Sequence, residues 1–207
     1  SGRWAAFHWT SHDNPHISAE ALTILAHDMT ALAFEQQIMA EDRDEAPGAL
    51  WKRATIHEVT SFPDLVRVVV GIDPPGGRTE CGIVVAGLAD NGHCYVLADD
   101  SLQDSPAGWA REVVAAYHRN KADRAVGERN FGGDMVEYTI RTADGGDAIS
   151  YKNVDASRGK ALRAEPIAAR YERGEVHHVG KFLHLEDEMC SWVPGQGMAS
   201  PIRMDAL

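Results

Sequence analysis

Two patterns of apolar residues divide the chain near residue 62. Residues 17–41 carry apolar side chains at helical spacing, which predicts one or two helices. From Leu65 onwards, apolar and β-branched residues form short runs separated by turn residues, a pattern typical of strands. We therefore predict a helical linker over residues 1–62 and a separate domain over residues 63–207.

The second part of the chain predicts a mixed sheet flanked by helices. Three strands joined by short turns come first, which indicates an antiparallel meander. Helices and further strands then alternate, which is typical of an α/β layered fold. The predicted strands are 65–73, 81–90, 93–101, 124–128, 148–154 and 175–180, and the predicted helices are 105–119, 132–141, 159–174 and 182–192.

Composition and charge restrict the class of protein. The chain has 207 residues, of which 44% are hydrophobic and 25% charged, as in ordinary globular domains. It contains no apolar run of the roughly 20 residues that cross a bilayer, so we expect no membrane association. Three scattered cysteines predict reduced thiols in a cytosolic protein. The formal net charge of −11 argues against a protein that coats nucleic acid, although a local basic patch remains compatible with DNA.

Two acids stand at the ends of predicted strands. The stretch VVVGIDPPGG (68–77) ends an apolar run on Asp73, and Glu128 ends the strand that follows the first long helix. If those two strands are parallel neighbours, both carboxylates reach the same edge of the sheet. Carboxylates at such an edge are suited to hard divalent cations such as Mg²⁺. The simpler alternative is that each acid caps a turn, and spacing alone leaves both interpretations open.

A family resemblance is carried by short segments in order over about residues 64–207. These segments are GIDPPGG, ECGIVVAG, YVLADDS, SPAGWA, GERNFGGDMV, GKALRAEPIAARYERGEVHHVG, LEDEM and SPIRMDAL. Together they resemble the C-terminal nuclease half of the large terminase subunit of tailed bacteriophages and prophages. The resemblance implies an RNase H-like nuclease that cuts concatemeric viral DNA with divalent metal. Residues 1–60 resemble the end of the family's ATPase half, but the chain has no G-x-x-x-x-G-K-[ST] loop, so we expect no ATP hydrolysis.

The same resemblance implies a set of catalytic residues. It assigns the first metal ligand to Asp73 and the second to Glu128, within E-x-N-x-G-G. The third ligand would be Asp205, near the start of a last helix. Two Mg²⁺ or Mn²⁺ ions would then be held, with Asp73 bridging them and one further acid on each.

Further residues are weaker candidates, each with a structural alternative. Lys160 and Arg163 lie one helical turn apart and are candidate phosphate contacts, or else part of a solvated helix face. Asn130 is a candidate for orienting water or a phosphate, or for capping a loop. Glu80 is a secondary candidate for approaching the metals from the second strand.

Two other groups of titratable residues are interpreted as structural. Glu186, Asp187 and Glu188 predict a solvated helix face. His177 and His178 are adjacent on a predicted strand and so point to opposite faces, which disfavours a shared metal ion.

The expected function is that of a metal-dependent endonuclease in a phage DNA-packaging terminase. Its expected partners are double-stranded DNA, the ATPase half, the small terminase subunit and the portal, in the cytoplasm of a bacterial host. Two alternatives remain: another RNase H-like nuclease of the resolvase type, or a non-catalytic docking module of the packaging motor.

Overall fold

The structure is a computed structural model of the 207-residue chain. It describes residues 9–28, 38–39, 46–75, 80–128, 134–155, 159–196 and 201–207, with the backbone alone for residues 25–28. Within these ranges, no helix has the length and apolar character needed to span a membrane.

The described elements follow the predicted series closely. The strands are β1 His57–Val59, β2 Leu65–Asp73, β3 Glu80–Ala89, β4 Cys94–Asp99, β5 Leu102–Gln103, β6 Arg124–Glu128, β7 Tyr151–Val154 and β8 Val176–Val179. The helices are α1 Ala19–Asp28, α2 Pro106–Arg119, α3 Asp134–Thr142, α4 Lys160–Glu172, α5 Leu183–Ser191 and α6 Ile202–Ala206. Short 3-10 turns span Ser11–Asp13, Arg53–Thr55 and Gly146–Ala148.

The strands form a mixed sheet in the order β1-β8-β4-β3-β2-β6-β7, with β5 paired to β3. Strands β2, β3 and β4 form the predicted antiparallel meander. Strand β6 returns parallel to β2, and β7 lies parallel to β6. On the other side of the meander, β8 is parallel to both β4 and β1. The predicted α/β fold with a mixed sheet is therefore confirmed.

Local sequence signals account for the turns and helix starts that shape this sheet. Between β3 and β4, the N–H of Gly92 donates to the carbonyl of Ala89, and Gly92 adopts the positive φ of 83° that such a turn favours. Helix α2 begins at Pro106, and the Ser105 hydroxyl before it accepts the N–H of Gly108. Pro106 lacks an N–H and is preorganised for a first helical turn, so this crossover helix starts immediately after the meander.

Two apolar layers cover opposite faces of the sheet. Helices α2 and α3 pack on one face, where alternate β2 residues such as Val70 and Ile72 are buried. Helices α4, α5 and α6 pack on the other face, mainly over Val84 of β3, Val96 of β4 and Val176 of β8. The second layer therefore covers only part of its face of the sheet.

Strand β1 lies on the N-terminal side of the predicted domain boundary. Its three residues pair with β8, so they belong to the sheet although they precede residue 62. Trp51 is also buried against α4 and α5. The boundary between residues 62 and 63 stays a prediction, and part of the predicted helical region, residues 29–37 and 40–45, lies outside the described residues.

Candidate active site

Three predicted site residues line one cavity at the carboxyl end of the central strands. Asp73 is the last residue of β2 and Glu128 the last of β6. Because Ile72 pairs with Gly127 in the parallel ladder, these two acids occupy neighbouring strand ends. Asp205 enters the same cavity, of about 270 Å³, from helix α6. The fold thus brings together three carboxylates that are distant in sequence.

Helix α6 lies directly against the backbone of the two central strands. A Cβ atom at Gly71 would stand 1.8 Å from the carbonyl oxygen of Ala206, and one at Gly82 would stand 2.3 Å from that of Ile202. Only glycine permits so close an approach of helix to strand. These two glycines therefore fix the depth at which the helix carrying Asp205 is seated.

Side chains from three other elements hold helix α6 at its first turn. The carboxylate of Glu188 accepts the backbone N–H groups of Ile202 (2.8 Å) and Met204 (2.9 Å). Arg203 forms ion pairs with Glu80 (2.6 Å) and with Asp99 (3.1 Å). Charge-assisted contacts of this kind are stronger than neutral hydrogen bonds, so the position of α6 is specified by the surrounding sheet and by α5.

Two cations from helix α4 contact the acids of the cavity. The ammonium group of Lys160 is paired with the Asp205 carboxylate. Arg163 donates from Nη1 to Oε2 of Glu128 over 3.1 Å. Both cations were candidate phosphate contacts, and here they neutralise part of the acidic charge. The same side chains stand where a phosphate approaching the acids would meet them.

Burial and neighbouring charge make Asp73 reluctant to ionise. Burial, together with the negative charges of Asp205 and Glu128, raises the pKa of its carboxyl to about 7, while Lys160 opposes the shift. Like-charged carboxylates that share a site disfavour one another's ionised forms. A divalent cation would relieve this repulsion, so the electrostatics favour a cation in the cavity.

The donor set fits Mg²⁺ or Mn²⁺ bound by one or two carboxylates per ion. Hard cations of this size take oxygen ligands and retain water and substrate phosphate in their coordination shell. Among the described residues, no three His, Cys, Asp or Glu side chains are placed to hold a single ion. Glu128 and Asp205 are instead engaged by Arg163 and Lys160. The residues therefore suit ions shared between pairs of acids, and not one ion enclosed by all three.

The remaining predicted candidates lie away from the acids or outside the described chain. Glu80 begins β3 and is bound to Arg203, so in this structure it supports α6 and does not line the cavity. Asn130 lies outside the described residues. His177 stacks between His93 and Tyr95. The ring of His178 is buried between Tyr171 and Glu186, at 2.8 and 2.9 Å.

The solvated helix face predicted for residues 186–188 is wrong for two of its three members. Glu186 is buried, because it accepts hydrogen bonds from His178 and from the N–H of Phe182. Glu188 is only partly exposed and caps α6, while Asp187 alone is exposed. Helical spacing offered a signal for Glu188, which is three residues after the buried Leu185 and on the same helix face.

The α/β region of the chain matches one known protein family. A family model described as the terminase RNaseH-like domain matches residues 70–196, which is more than half of the chain. A comparison with curated proteins gives no significant match.

Solved structures with the same fold come from three phages. The large terminase of a thermophilic bacteriophage, in complex with ATP-gamma-S, aligns with a TM-score of 0.61 and 12% identity over 97% of this chain and 53% of its own. The phage P22 large terminase nuclease domain gives 0.59 and 12% over 78% of this chain and 89% of its own. The large terminase nuclease of thermophilic phage G20c with bound magnesium gives 0.55 and 12% over 78% and 96%.

The comparisons bear on fold and family. The chain spans about half the length of the large terminase bound to ATP-gamma-S, and at 12% identity these likenesses concern the fold. They confirm the RNase H-like arrangement expected from the sequence. With the family model matching most of the α/β region, the chain belongs to the terminase RNaseH-like domain family.

Proposed function

We propose that this chain is the metal-dependent DNA endonuclease of a phage packaging terminase and that it cuts concatemeric viral DNA. The observation that carries the proposal is the convergence of Asp73, Glu128 and Asp205 on one cavity in a member of this family. The acids come from β2, β6 and α6, so their meeting is a property of the fold and not of local sequence. Turn-capping acids would have no reason to share a cavity.

Asp73 and Glu128 would hold one divalent ion, and Asp73 and Asp205 the other. When bound, Mg²⁺ or Mn²⁺ supplies a water nucleophile of lowered pKa and stabilises the charge that develops on the leaving oxygen. The chain's own contribution is rigidity. Asp73 and Glu128 are fixed at paired strand ends, and α6 is fixed by Glu188 and two glycines. Carboxylates fixed in this way keep their separation through the reaction.

Lys160 and Arg163 are proposed to bind phosphates of the substrate. Both line the cavity region near Asp205, and both donors already point to carboxylate oxygens. A phosphate oxygen is an equivalent acceptor for either group. Contacts of this kind position the backbone without reading bases, so we expect cleavage that is largely independent of sequence.

The working assembly is also a matter of proposal. The large terminase described in complex with ATP-gamma-S is roughly twice as long as the segment this chain matches. We propose that the present chain acts beside an ATPase half and does not itself hydrolyse ATP. The small terminase subunit, the portal and double-stranded DNA would be its partners in the cytoplasm of a bacterial host.

Plasmid cleavage tests the proposal. The chain is incubated with supercoiled plasmid in Mn²⁺, in Mg²⁺ or in EDTA, beside Asp73→Asn and the control Asp64→Asn. Asp64 is exposed and lies before β2, so it carries the same charge change away from the cavity. We expect nicking and linearisation with metal, abolished in Asp73→Asn and retained in Asp64→Asn.

Circular dichroism and calorimetry make the result interpretable. Burial raises the pKa of Asp73, so removing its charge is expected to leave the fold intact. Cleavage that persists in EDTA or in Asp73→Asn would reject the proposed site. A folded wild-type chain that neither cuts DNA nor binds Mn²⁺ would favour the non-catalytic docking module.

A further inference from the structure

Half of one sheet face, next to the acid cavity, lies outside the helical layer. Helices α4 to α6 cover β3, β4 and β8, but the side chains of β2, β6 and β7 on that face are only half-buried or exposed. Val69 and Val126 line the cavity as its floor, and Val154 is 38% exposed. We call this region the open sheet face, and it comprises Arg67, Val69, Arg124, Val126, Lys152 and Val154.

Register places three cations on the open sheet face. Arg124 pairs with Val69, and Lys152 pairs with Val126. Paired residues of neighbouring parallel strands point to the same face, and residues two apart on one strand do so as well. Arg67 is two residues before Val69, beyond the register irregularity that separates it from Leu65. All three cations therefore project on the side of the sheet that holds the catalytic acids.

These three cations differ from most others in the structure. Within the described residues, Arg67, Arg124 and Lys152 form no ion pair and no hydrogen bond through their side chains. By contrast, an acid is paired with each of the following arginines: Arg53, Arg119, Arg141, Arg163, Arg170, Arg173 and Arg203. In a chain with a formal net charge of −11, an open face with unpaired cations is a local reversal of sign.

The cations form rows that lead to the acids. Rows two residues apart on a strand are separated by about 7 Å. Lys152 lies one row from Glu128, Arg124 lies two rows away, and Arg67 lies three rows from Asp73. On this face of β2, β6 and β7, the acids Asp73 and Glu128 stand only at the cavity end. The charge gradient along the strands therefore runs from positive to negative towards the cavity.

We propose that the open sheet face is the track along which the backbone of duplex DNA reaches the acid cavity. Arg67, Arg124 and Lys152 bind phosphates at increasing distance from the cut, and the valines between them contact the sugars. A polyanion matches the unpaired cations, and backbone contacts agree with sequence-independent cutting. The proposal rests on the proposed function, because it takes DNA as the substrate of the neighbouring site.

A binding experiment with matched charge changes tests the track. Every protein is the full chain carrying Asp73→Asn, so that DNA is bound in EDTA without being cut. The face variant adds Arg67→Gln, Arg124→Gln and Lys152→Gln. The control variant adds Arg111→Gln, Lys121→Gln and Lys181→Gln, which are exposed positions outside β2, β6 and β7.

Fluorescence anisotropy with a short labelled duplex gives affinity and its salt dependence. Loss of three phosphate contacts is expected to weaken binding at low salt by about 10- to 100-fold and to reduce the slope of log K against log salt by about 2 to 3. The control variant is expected to stay within about threefold of its parent, because long-range charge is screened. Equal losses in both variants, or an unchanged slope in the face variant, would overturn the track and leave the face for a protein partner.

Cleavage kinetics separate this proposal from the proposed function. With Asp73 restored, the face variant is expected to raise KM while keeping kcat, because its residues are remote from the reacting phosphate. Selective loss of DNA binding from a chain that never cuts would support the track and reject the nuclease. Normal KM in a face variant that cuts would reject the track and leave the nuclease standing.

Discussion

The carboxylate of Glu188 accepts the backbone N–H of Met204 at 2.9 Å, one residue before the proposed ligand Asp205. A second oxygen of the same carboxylate accepts the N–H of Ile202. Glu188 belongs to α5, on the face of the sheet that carries α6, and it does not line the acid cavity. It therefore acts on Asp205 through the helix backbone, as a positioning residue.

Removing this cap is expected to impair catalysis more than binding. Glu188→Ala leaves two N–H groups at the start of α6 without their acceptor, which costs about 1 to 3 kcal/mol of stability. We expect kcat to fall about tenfold with little change in KM, because Asp205 loses its position while the phosphate contacts remain. Glu188→Gln keeps an acceptor oxygen and should restore part of the rate. Wild-type kcat in a folded Glu188→Ala, measured beside the exposed Glu172→Ala, would contradict the positioning role.

Gly82 offers a second way to displace α6 without touching the cavity. An alanine there would bring Cβ to 2.3 Å from the carbonyl oxygen of Ile202, so the helix must move outwards. We expect Gly82→Ala to lower the melting temperature by several degrees and to weaken Mn²⁺ binding by calorimetry. A Cβ at Gly159 would meet no atom within 4 Å, and the φ of Gly159 is ordinary, so Gly159→Ala serves as the control. Unchanged Mn²⁺ affinity in Gly82→Ala would show that the site tolerates a shifted α6.

Lys160 is expected to have opposite effects on metal binding and on cleavage. Its ammonium is paired with Asp205 and so opposes a cation at that carboxylate. Lys160→Met should therefore tighten Mn²⁺ binding about three- to tenfold in the absence of DNA. The same variant should cut DNA more slowly, because a phosphate contact is lost. Calorimetry and plasmid cleavage check the two effects, with the exposed Lys181→Met as control, and weaker Mn²⁺ binding in Lys160→Met would oppose this account.

The buried His178 is expected to make the fold sensitive to acid. Burial lowers the pKa of His178 below its ordinary 6.5, although Glu186 opposes the shift. Its Nδ1–H donates to Glu186, so the neutral ring accepts the Tyr171 hydroxyl at Nε2. The unfolded chain binds a proton below pH 6.5 that the folded chain does not, so stability falls as pH drops through that value.

Denaturant unfolding at several pH values measures this effect. Between pH 6.5 and about 5, the free energy of unfolding should fall by up to about 1.4 kcal/mol per pH unit from this one group. In His178→Gln that slope should be flatter by about one proton. The exposed His184→Gln should keep the wild-type slope. A wild-type slope in His178→Gln would mean that other groups carry the acid sensitivity.

The central strands and their terminal acids could be predicted because the signal is local. Apolar runs ending on Asp73 and Glu128 mark buried strands, and the crossover helix between them implies parallel neighbours. Strand β1 has no such run. Its three residues become a strand through backbone pairing with β8, which no pattern in His57–Val59 announces.

The position of Asp205 could be anticipated only from the family resemblance. Helix α6 is five residues long, too short for a periodic pattern, and its place depends on Gly71, Gly82 and Glu188 from distant parts of the chain. The open sheet face shows the same limit. Cations alternate with valines in β6 and β7, but sequence alone does not reveal which face the helices leave uncovered.

The seating of α6 on two glycines has a consequence for biosynthesis. Strands β2 and β6 can pair as soon as both have left the ribosome, whereas α6 follows every described strand in the sequence. A nascent chain therefore presents two of the three acids and lacks the third until the sheet beneath α6 is complete. Folding order itself would delay the destructive activity, so that the cell making the protein meets a finished nuclease only after the whole unit has closed.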